Sequence, residues 1–378
     1  SNVDYYQLGY TYYKTSDYEN AINQFNKIIQ INNDLAQNAY YYLGDSYLKN
    51  NQKSAALSAF RKASKMNFDE SIAEDAFLNY SKLSYEIGNP FEKVSNVLFN
   101  FLKKYPKNNS YKNVYNLLID SYVKQKDYDL ALLILKENKS FSNKELIQKI
   151  SFLKAVELFK LRKYDGANRY FEQSIKTGND EFYNLKSKYW SGRSFFALKK
   201  FDDALDRYKE FLNNDLSKKT DEHKRINYDM AYTYFQLKEY SYALSNFQKA
   251  LDDKKRVDKK IYNDIYLRIA DCHFALKNYW SAMEGYNKII NLDSNKTPYA
   301  IYQKAISYGF VNRNENKIKA LKLLINEFYK SLYTDDALFE LAMTLSFENK
   351  FEESISYYDK ILNDYQKSPY FLKSKLNK

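Results

Sequence analysis

Residues able to do chemistry are few in this chain and poorly placed for it. Among 378 residues there is one Cys, Cys272, and two His, His223 and His273. A single thiol closes no internal disulfide and builds no Cys-rich metal site. The two imidazoles lie far outside the H-E-x-x-H spacing that sets two ligands on one helix face. Phosphate chemistry lacks its cradle as well. Gly9, Gly44, Gly88, Gly166, Gly178, Gly192, Gly285 and Gly309 are all isolated, so neither G-x-G-x-x-G nor a Walker loop occurs. The acid pairs Asp202-Asp203, Asp335-Asp336 and Glu352-Glu353 fall where helices are expected to begin. Adjacent acids there complement the positive helix end rather than face each other across a glycosidic bond. Cys272 and His273 stand at packing positions, where a small hydrophobe and a structural ring are expected. The residues predict no enzyme, no cofactor and no metal.

The elements that position these residues repeat. Gly9, Gly44, Ala231 and Ala270 are each followed three residues later by a ring, at Tyr12, Tyr47, Tyr234 and His273. Nine residues on comes Ala21, Ala56, Ala243 or Ala282, and four further on Phe25, Phe60, Phe247 or Tyr286. Tracking the first small position gives Gly9, Gly44, Ser81, Ile119, Ala155, Gly192, Ala231, Ala270, Ala305 and Ala342, with steps of 35, 37, 38, 36, 37, 39, 39, 35 and 37. The later Ala recurs at Ala21, Ala56, Ala131, Ala167, Ala204, Ala243, Ala282 and Ala320, with Val94 and Ser354 as substitutes. A fixed period of this length marks stacked supersecondary units. Ten units fill the chain, at approximately 2–36, 37–70, 71–110, 111–146, 147–183, 184–222, 223–261, 262–297, 298–333 and 334–368, with a further helix opening at 369–378.

Each unit reads as two helices, with apolar residues at three- and four-residue spacing as in Tyr5, Leu8, Tyr12 and Ala21, Ile22, Phe25, Ile28, Ile29. Joints such as Lys14-Thr15-Ser16-Asp17 and Lys199-Lys200 leave room only for a tight helical hairpin. The small residue lets two helix backbones approach while a larger side chain fills the gap beside it. Pro90 falls in an inter-helix joint and Pro106, Pro298 and Pro369 between units, so no Pro interrupts a helix core.

These marks resemble the tetratricopeptide repeat family, which carries an aromatic, Leu, Gly or Ala and Tyr on its first helix, and Ala, Phe or Tyr and Ala on its second. The resemblance covers essentially the whole chain. It implies an all-α, right-handed superhelical solenoid of antiparallel helix pairs. Departures fall around Gly88-Asn89-Pro90, at Ile119 and Glu137-Asn138, and near Pro298, where about three extra residues are expected before Lys317. The aromatic-rich stretch Tyr189-Trp190-Ser191-Gly192-Arg193-Ser194-Phe195-Phe196 is also similar to long multi-repeat proteins of Bacteroidota cell envelopes.

In such an array the first helices line a concave groove, at positions next to the packed ones. Read along the chain, those positions hold Tyr6, Tyr10 and Tyr13, then Tyr41, then Tyr189, Arg193 and Phe196, then Arg225, Tyr228, Tyr232 and Phe235. Tyr and Arg bring large area and a polar tip at little flexibility, as interface centres favour. The expectation is a non-enzymatic scaffold that docks a peptide or protein partner there. One familiar sub-type is disfavoured. The clamp that holds acidic chaperone tails uses Lys and Asn on adjacent first helices, and the corresponding places here hold Tyr6 and Tyr10, Asn116 and Asp120, Tyr189 and Arg193, or Leu267 and Asp271.

The net charge of +12 could suggest an anionic partner, but Lys, Asn, Ile, Tyr and Phe are abundant together, as AT-rich codons alone would produce. The densest run, 252–260, mixes acids with its bases, whereas a nucleic-acid footprint gathers charge on one face. No nucleic acid is therefore expected. No apolar run reaches the roughly 20 residues that span a bilayer. Ser1-Asn2 reads as an added leader and 370–376 as the start of another unit, so the chain is expected to be a piece of a longer parent. A periplasmic or envelope location is the expectation, with an assembly factor contacting peptidoglycan or outer-membrane machinery as the alternative function and the cytoplasm as the alternative place. Oligomeric state is left open.

Overall fold

The computed structural model describes residues 1–141, 143–252, 259–292 and 295–378. Among these, every regular element is a helix. The chain forms two compact units, one of residues 1–154 and 176–179, the other of residues 155–175 and 180–378. The first unit contains α1 (Asn2–Lys14), α2 (Tyr18–Phe25), α3 (Asp34–Lys49), α4 (Lys53–Ala63), α5 (Glu70–Ile87), α6 (Val94–Lys104), α7 (Tyr111–Lys124), α8 (Tyr128–Glu137) and the start of α9 (Lys144–Lys160). The second contains the end of α9, then α10 (Tyr164–Thr177) up to residue 175, α11 (Glu181–Ala197), α12 (Phe201–Leu212), α13 (His223–Gln236), α14 (Tyr240–Asp252), α15 (Lys259–Ala275), α16 (Tyr279–Asn291), α17 (Thr297–Phe310), α18 (Asn314–Glu327), α19 (Thr334–Phe347), α20 (Phe351–Asp364) and the short α21 (Phe371–Asn377). The charged run 253–258 lies outside the described residues.

Each hairpin turns on one residue of positive φ. Ser16, Asn51, Lys126, Arg162, Lys199, Lys238, Lys277, Asn312 and Asn349 have φ of 55–62°, and Gly88 has 83°. Each stands seven residues after the small position read from the sequence, so the joints recur at the same steps. The hydrogen bonds explain the conformation. At the first joint Ser16 N–H donates to the Tyr13 carbonyl at 3.1 Å and Asp17 N–H to the Tyr12 carbonyl at 2.9 Å. The pair closes a Schellman cap, which needs a left-handed residue to satisfy the last carbonyls. Gly88 alone serves a longer joint, before α6.

The small positions do what close crossing requires. A Cβ on Gly9 would lie 2.9 Å from Phe25, one on Gly44 2.9 Å from Phe60, and one on Gly192 2.6 Å from Tyr208. In every case the intruding ring is the aromatic on the second helix of the same pair. Two expected positions are corrected. In the third pair Val97, 1% exposed, takes the Ala place instead of Val94, because α6 starts late and the place lies three residues into each second helix. In the ninth pair Asn312 closes a joint of ordinary length. Lys317, not Ala320, therefore occupies that place, its ammonium drawn off to Glu340 at 2.8 Å. Asp202-Asp203, Asp335-Asp336 and Glu352-Glu353 do open α12, α19 and α20.

The core is a succession of local clusters. Ala21, Phe25, Ala39 and Leu43 form one, Leu185, Tyr208, Phe211 and Ile226 another, and Leu321, Leu324, Ala342 and Tyr358 a third. Each joins one pair to its sequence neighbour, so burial is earned between adjacent pairs. Cys272 is fully buried with its thiol pushed up to about 12 by desolvation, which disfavours the thiolate.

Candidate partner-docking site

Three first helices of the second unit, α9, α11 and α13, supply most of the wall of a cavity of about 400 Å³. Arg193 and Phe196 enter from α11 and Arg225, Tyr228 and Tyr232 from α13, and Phe159 of α9, Tyr164 of α10 and Tyr208 of α12 complete the rings. Five residues chosen from the sequence thus meet at one place. Their helices put them there because α11 crosses α12 closely at Gly192, which leaves Arg193 and Phe196, about one turn apart, on the open side of the crossing while Ser194 is buried.

The charges have different surroundings. Asp229 accepts a hydrogen bond from the Tyr189 hydroxyl at 2.6 Å and lies 3.9 Å from Arg193 Nε. Burial holds its carboxyl above the usual range, against the opposing pull of Arg193, of the Tyr189 hydroxyl and of Arg225. The Arg193 guanidinium lies 5.1 Å from the Trp190 ring centre and 5.7 Å from that of Phe159, in reach of cation–π attraction. Arg225 is exposed, 6.0 Å from the Tyr228 ring centre, and forms no ion pair or hydrogen bond among the described residues.

Two tyrosine hydroxyls at this wall, those of Tyr228 and Tyr232, are already engaged. Tyr228 donates to Asp264 Oδ2 at 2.9 Å, Tyr232 donates to the same oxygen, and Arg268 Nε donates to the Tyr232 oxygen at 3.1 Å. Burial, reinforced by Asp264 and relieved in part by Arg268, pushes the Tyr232 phenol up to about 12. Arg268 also donates to Asp271 at 2.8 Å, and that buried carboxylate accepts from Tyr286 and Tyr299 at 2.9 and 3.0 Å. Tyr13, Asp45 and Lys49 form the same kind of tie, with Tyr13 donating to Asp45 at 2.5 Å and accepting from Lys49 at 2.9 Å. Tyr85, Asp120 and Lys124 form it again. A tyrosine on one first helix is thus fixed by an acid and a cation one turn apart on the next.

Other expected groove residues stand elsewhere. Tyr189 is a correction: it is 1% exposed, its ring packed on Trp190, Tyr208 and Phe211 at 5.6–6.1 Å, and only its hydroxyl reaches Asp229. Being one turn before Gly192, it shares the packed face. Tyr6, Tyr10 and Tyr13 are half-buried and form a ring ladder against Tyr42 of α3, with centroids 5.1–6.5 Å away. Tyr41 packs edge-on to Phe60 at 5.9 Å. Phe235 meets Tyr240 edge-on at 5.4 Å and does not line the cavity. Phe159, Tyr164, Tyr208 and Asp229 were not anticipated. Phe159 had a signal, since it follows Ala155 by four residues as Phe196 follows Gly192; Asp229 had none beyond its place four residues after Arg225.

Comparison with known families decides what kind of chain positions this site. One model described as tetratricopeptide repeat matches residues 6–67 and 152–217, and a second of the same description matches 336–368. The chain carries tetratricopeptide repeats. No curated protein sequence matches this repeat chain. Solved structures similar to it include the C-terminal part of a tetratricopeptide repeat-containing protein from Cytophaga hutchinsonii, at 13% identity over 68% of this chain and 97% of that one, TM-score 0.49. YrrB, a tetratricopeptide repeat protein with an unusual peptide-binding site, is 14% identical over 54% and 94%, TM-score 0.42. MamA from Desulfovibrio magneticus is 14% identical over 49% and 97%, TM-score 0.41. Tetratricopeptide proteins generally mediate protein–protein interaction. Among the described residues of this one, no helix is long and apolar enough to cross a membrane, and no group of three or more His, Cys, Asp or Glu could hold a metal ion.

Proposed function

We propose that the chain is a non-enzymatic scaffold whose second unit docks a peptide or protein partner at the α9–α11–α13 cavity. The observation that supports this reading is the meeting of Arg193, Phe196, Arg225, Tyr228 and Tyr232 around one open space. Aromatic rings with fixed hydroxyls lose little freedom on binding, and arginine adds a directed polar contact, so such a wall is suited to act as an energetic centre. The ten-unit partition given above is proposed as the register in which this wall is built. Site-specific photo-crosslinking tests the reading. A benzophenone residue at Phe196 should yield a discrete adduct in extract of the source organism, and one at Tyr242, 62% exposed on the second helix α14, should not. Equal adducts at both, or none at Phe196, would overturn it.

A further inference from the structure

The cavity holds more positive than negative charge, and the surplus falls on one residue. Its charged lining groups are Arg193, Arg225 and Asp229, two cations against one anion. Asp229 lies nearest Arg193, which also has the Trp190 and Phe159 rings beside it. Arg225 forms no ion pair among the described residues: its guanidinium lies 6.0 Å from the Tyr228 ring centre and pulls on the Asp229 carboxyl less than Arg193 does. The acids next to it in sequence are committed: Asp221 pairs with Lys224 at 2.6 Å, and Glu222 takes Lys186 at 3.6 Å and the Trp190 N–H at 3.2 Å. Arg225 also sits in the first turn of α13, where a cation opposes the helix dipole, so folding gains little from its charge. An exposed guanidinium on an aromatic wall, with its donors unused, is arranged for something outside the chain.

We infer that Arg225 receives a single anionic group of the partner, and that this group is carried beside an aromatic or aliphatic side chain that enters the ring wall. The docking segment is a peptide in which one acidic side chain neighbours one apolar side chain. This inference rests on the docking reading above and adds its chemistry. A second carboxylate is disfavoured, because the other lining cation, Arg193, already faces Asp229 at 3.9 Å. A cavity of about 400 Å³ lies near the small end of ligand pockets, so it takes a side chain or two and not a folded element.

Small fragments carrying these groups test it. The probes are 3-phenylpropionate, its neutral amide 3-phenylpropionamide, and the dianion phenylsuccinate, followed by saturation-transfer NMR and titration against the whole chain. 3-Phenylpropionate should bind about fivefold tighter than the amide, the gain expected of one exposed ion pair, and phenylsuccinate should bind no tighter than the monoanion. R225Q should abolish the preference for acid over amide while the amide still binds, and the circular dichroism spectrum should be unchanged. Acid and amide of equal affinity, or a preference that survives in R225Q, overturns the anion-receptor role and leaves the docking site standing. Binding of all three probes that F196A leaves untouched, or no binding of any, overturns the cavity as a site and this inference with it.

Discussion

Replacing Gly192 with Ala separates two forces that act in opposite directions at the α11–α12 crossing. In an ordinary helix position the change stabilises by about 0.5–1 kcal/mol, since Ala gives up less backbone entropy. Here the new Cβ would lie 2.6 and 2.7 Å from Tyr208 Cε1 and Cδ1 and 3.2 Å from the Ala204 carbonyl oxygen. Carbon contacts settle at about 3.5–4.0 Å, so the ring or the helix must move by roughly 1 Å. Tyr208 has nowhere easy to go, being 1% exposed and packed on Tyr189. Overpacking of this kind costs about 1–3 kcal/mol, so the expected net is a loss of about 0.5–2 kcal/mol. Gly166 in α10 provides the control, because its added Cβ would meet only Leu158 Cδ1 at 3.5 Å, and G166A should stabilise by a few tenths to about 1 kcal/mol. Urea unfolding followed by circular dichroism gives the two values, and hydrogen exchange shows whether the loss falls on α11 and α12. G192A stabilising the chain as much as G166A would refute the close-crossing account of the small position. Because Tyr208 also lines the cavity, G192A should weaken fragment binding as well.

Three further outcomes are expected. K199G should stabilise by about 0.5–1 kcal/mol, since a left-handed non-Gly residue costs about 1–2 kcal/mol and Gly returns about half of that as entropy; a loss in urea unfolding would show that the Lys199 side chain matters more than its φ. His273, held below its usual value by desolvation against the pull of Glu284, takes up a proton less readily in the fold than in the unfolded chain, which does so near 6.5. Stability should therefore be complete above that pH and fall as pH drops through it, and H273F should remove this slope from the pH series. R268M should lower unfolding stability by about 2–4 kcal/mol by leaving Asp271 buried beside Tyr286 and Tyr299 without its cation, and it should weaken fragment binding by releasing Tyr232. Stability unchanged in R268M would mean that the Asp264–Arg268–Asp271 chain contributes nothing to folding.

The period was legible because each pair must satisfy the same three demands: a small crossing residue, an aromatic to fill the crossing, and an Ala in the second helix. Those demands depend on residue size and spacing, which a sequence displays directly. The joints were legible in length but not in conformation. Left-handed caps are normally announced by Gly, and here nine of them are Ser, Asn, Lys or Arg. Lys317 and Val97 escaped the reading for a related reason, since an Ala nearby in sequence drew the register to Ala320 and none was present near Val94. The hydroxyl ties were hidden altogether. Tyr13 reaches Asp45, Tyr189 reaches Asp229 and Tyr228 reaches Asp264, across 32, 40 and 36 residues, and such pairing depends on how far one helix is rotated against the next.

Those ties change what a tyrosine-rich face signifies. Composition suggested that exposed Tyr rings were available to a partner, yet at Tyr13, Tyr85, Tyr228 and Tyr232 the polar end is fixed by the following first helix. Buried phenols without acceptors would cost desolvation, so the neighbouring acid is needed by the fold whether or not anything docks. The tie also limits the ring's own motion, which makes it a firmer wall. What can distinguish one partner from another is then the part of the wall that folding leaves unspent: the exposed guanidinium of Arg225, and the half-buried faces of Phe159 and Phe196. In the N-terminal tyrosine ladder Tyr6, Tyr10 and Tyr13 pack on Tyr42, Lys49 already meets Asp45 at 3.0 Å, and the exposed Lys14 lies 5.2 Å from the Tyr10 ring centre. The same residue types on the same kind of helix thus pack into a ring ladder at one place and line a cavity at another, and of the charges lining that cavity it is Arg225 that has no ion pair among the described residues.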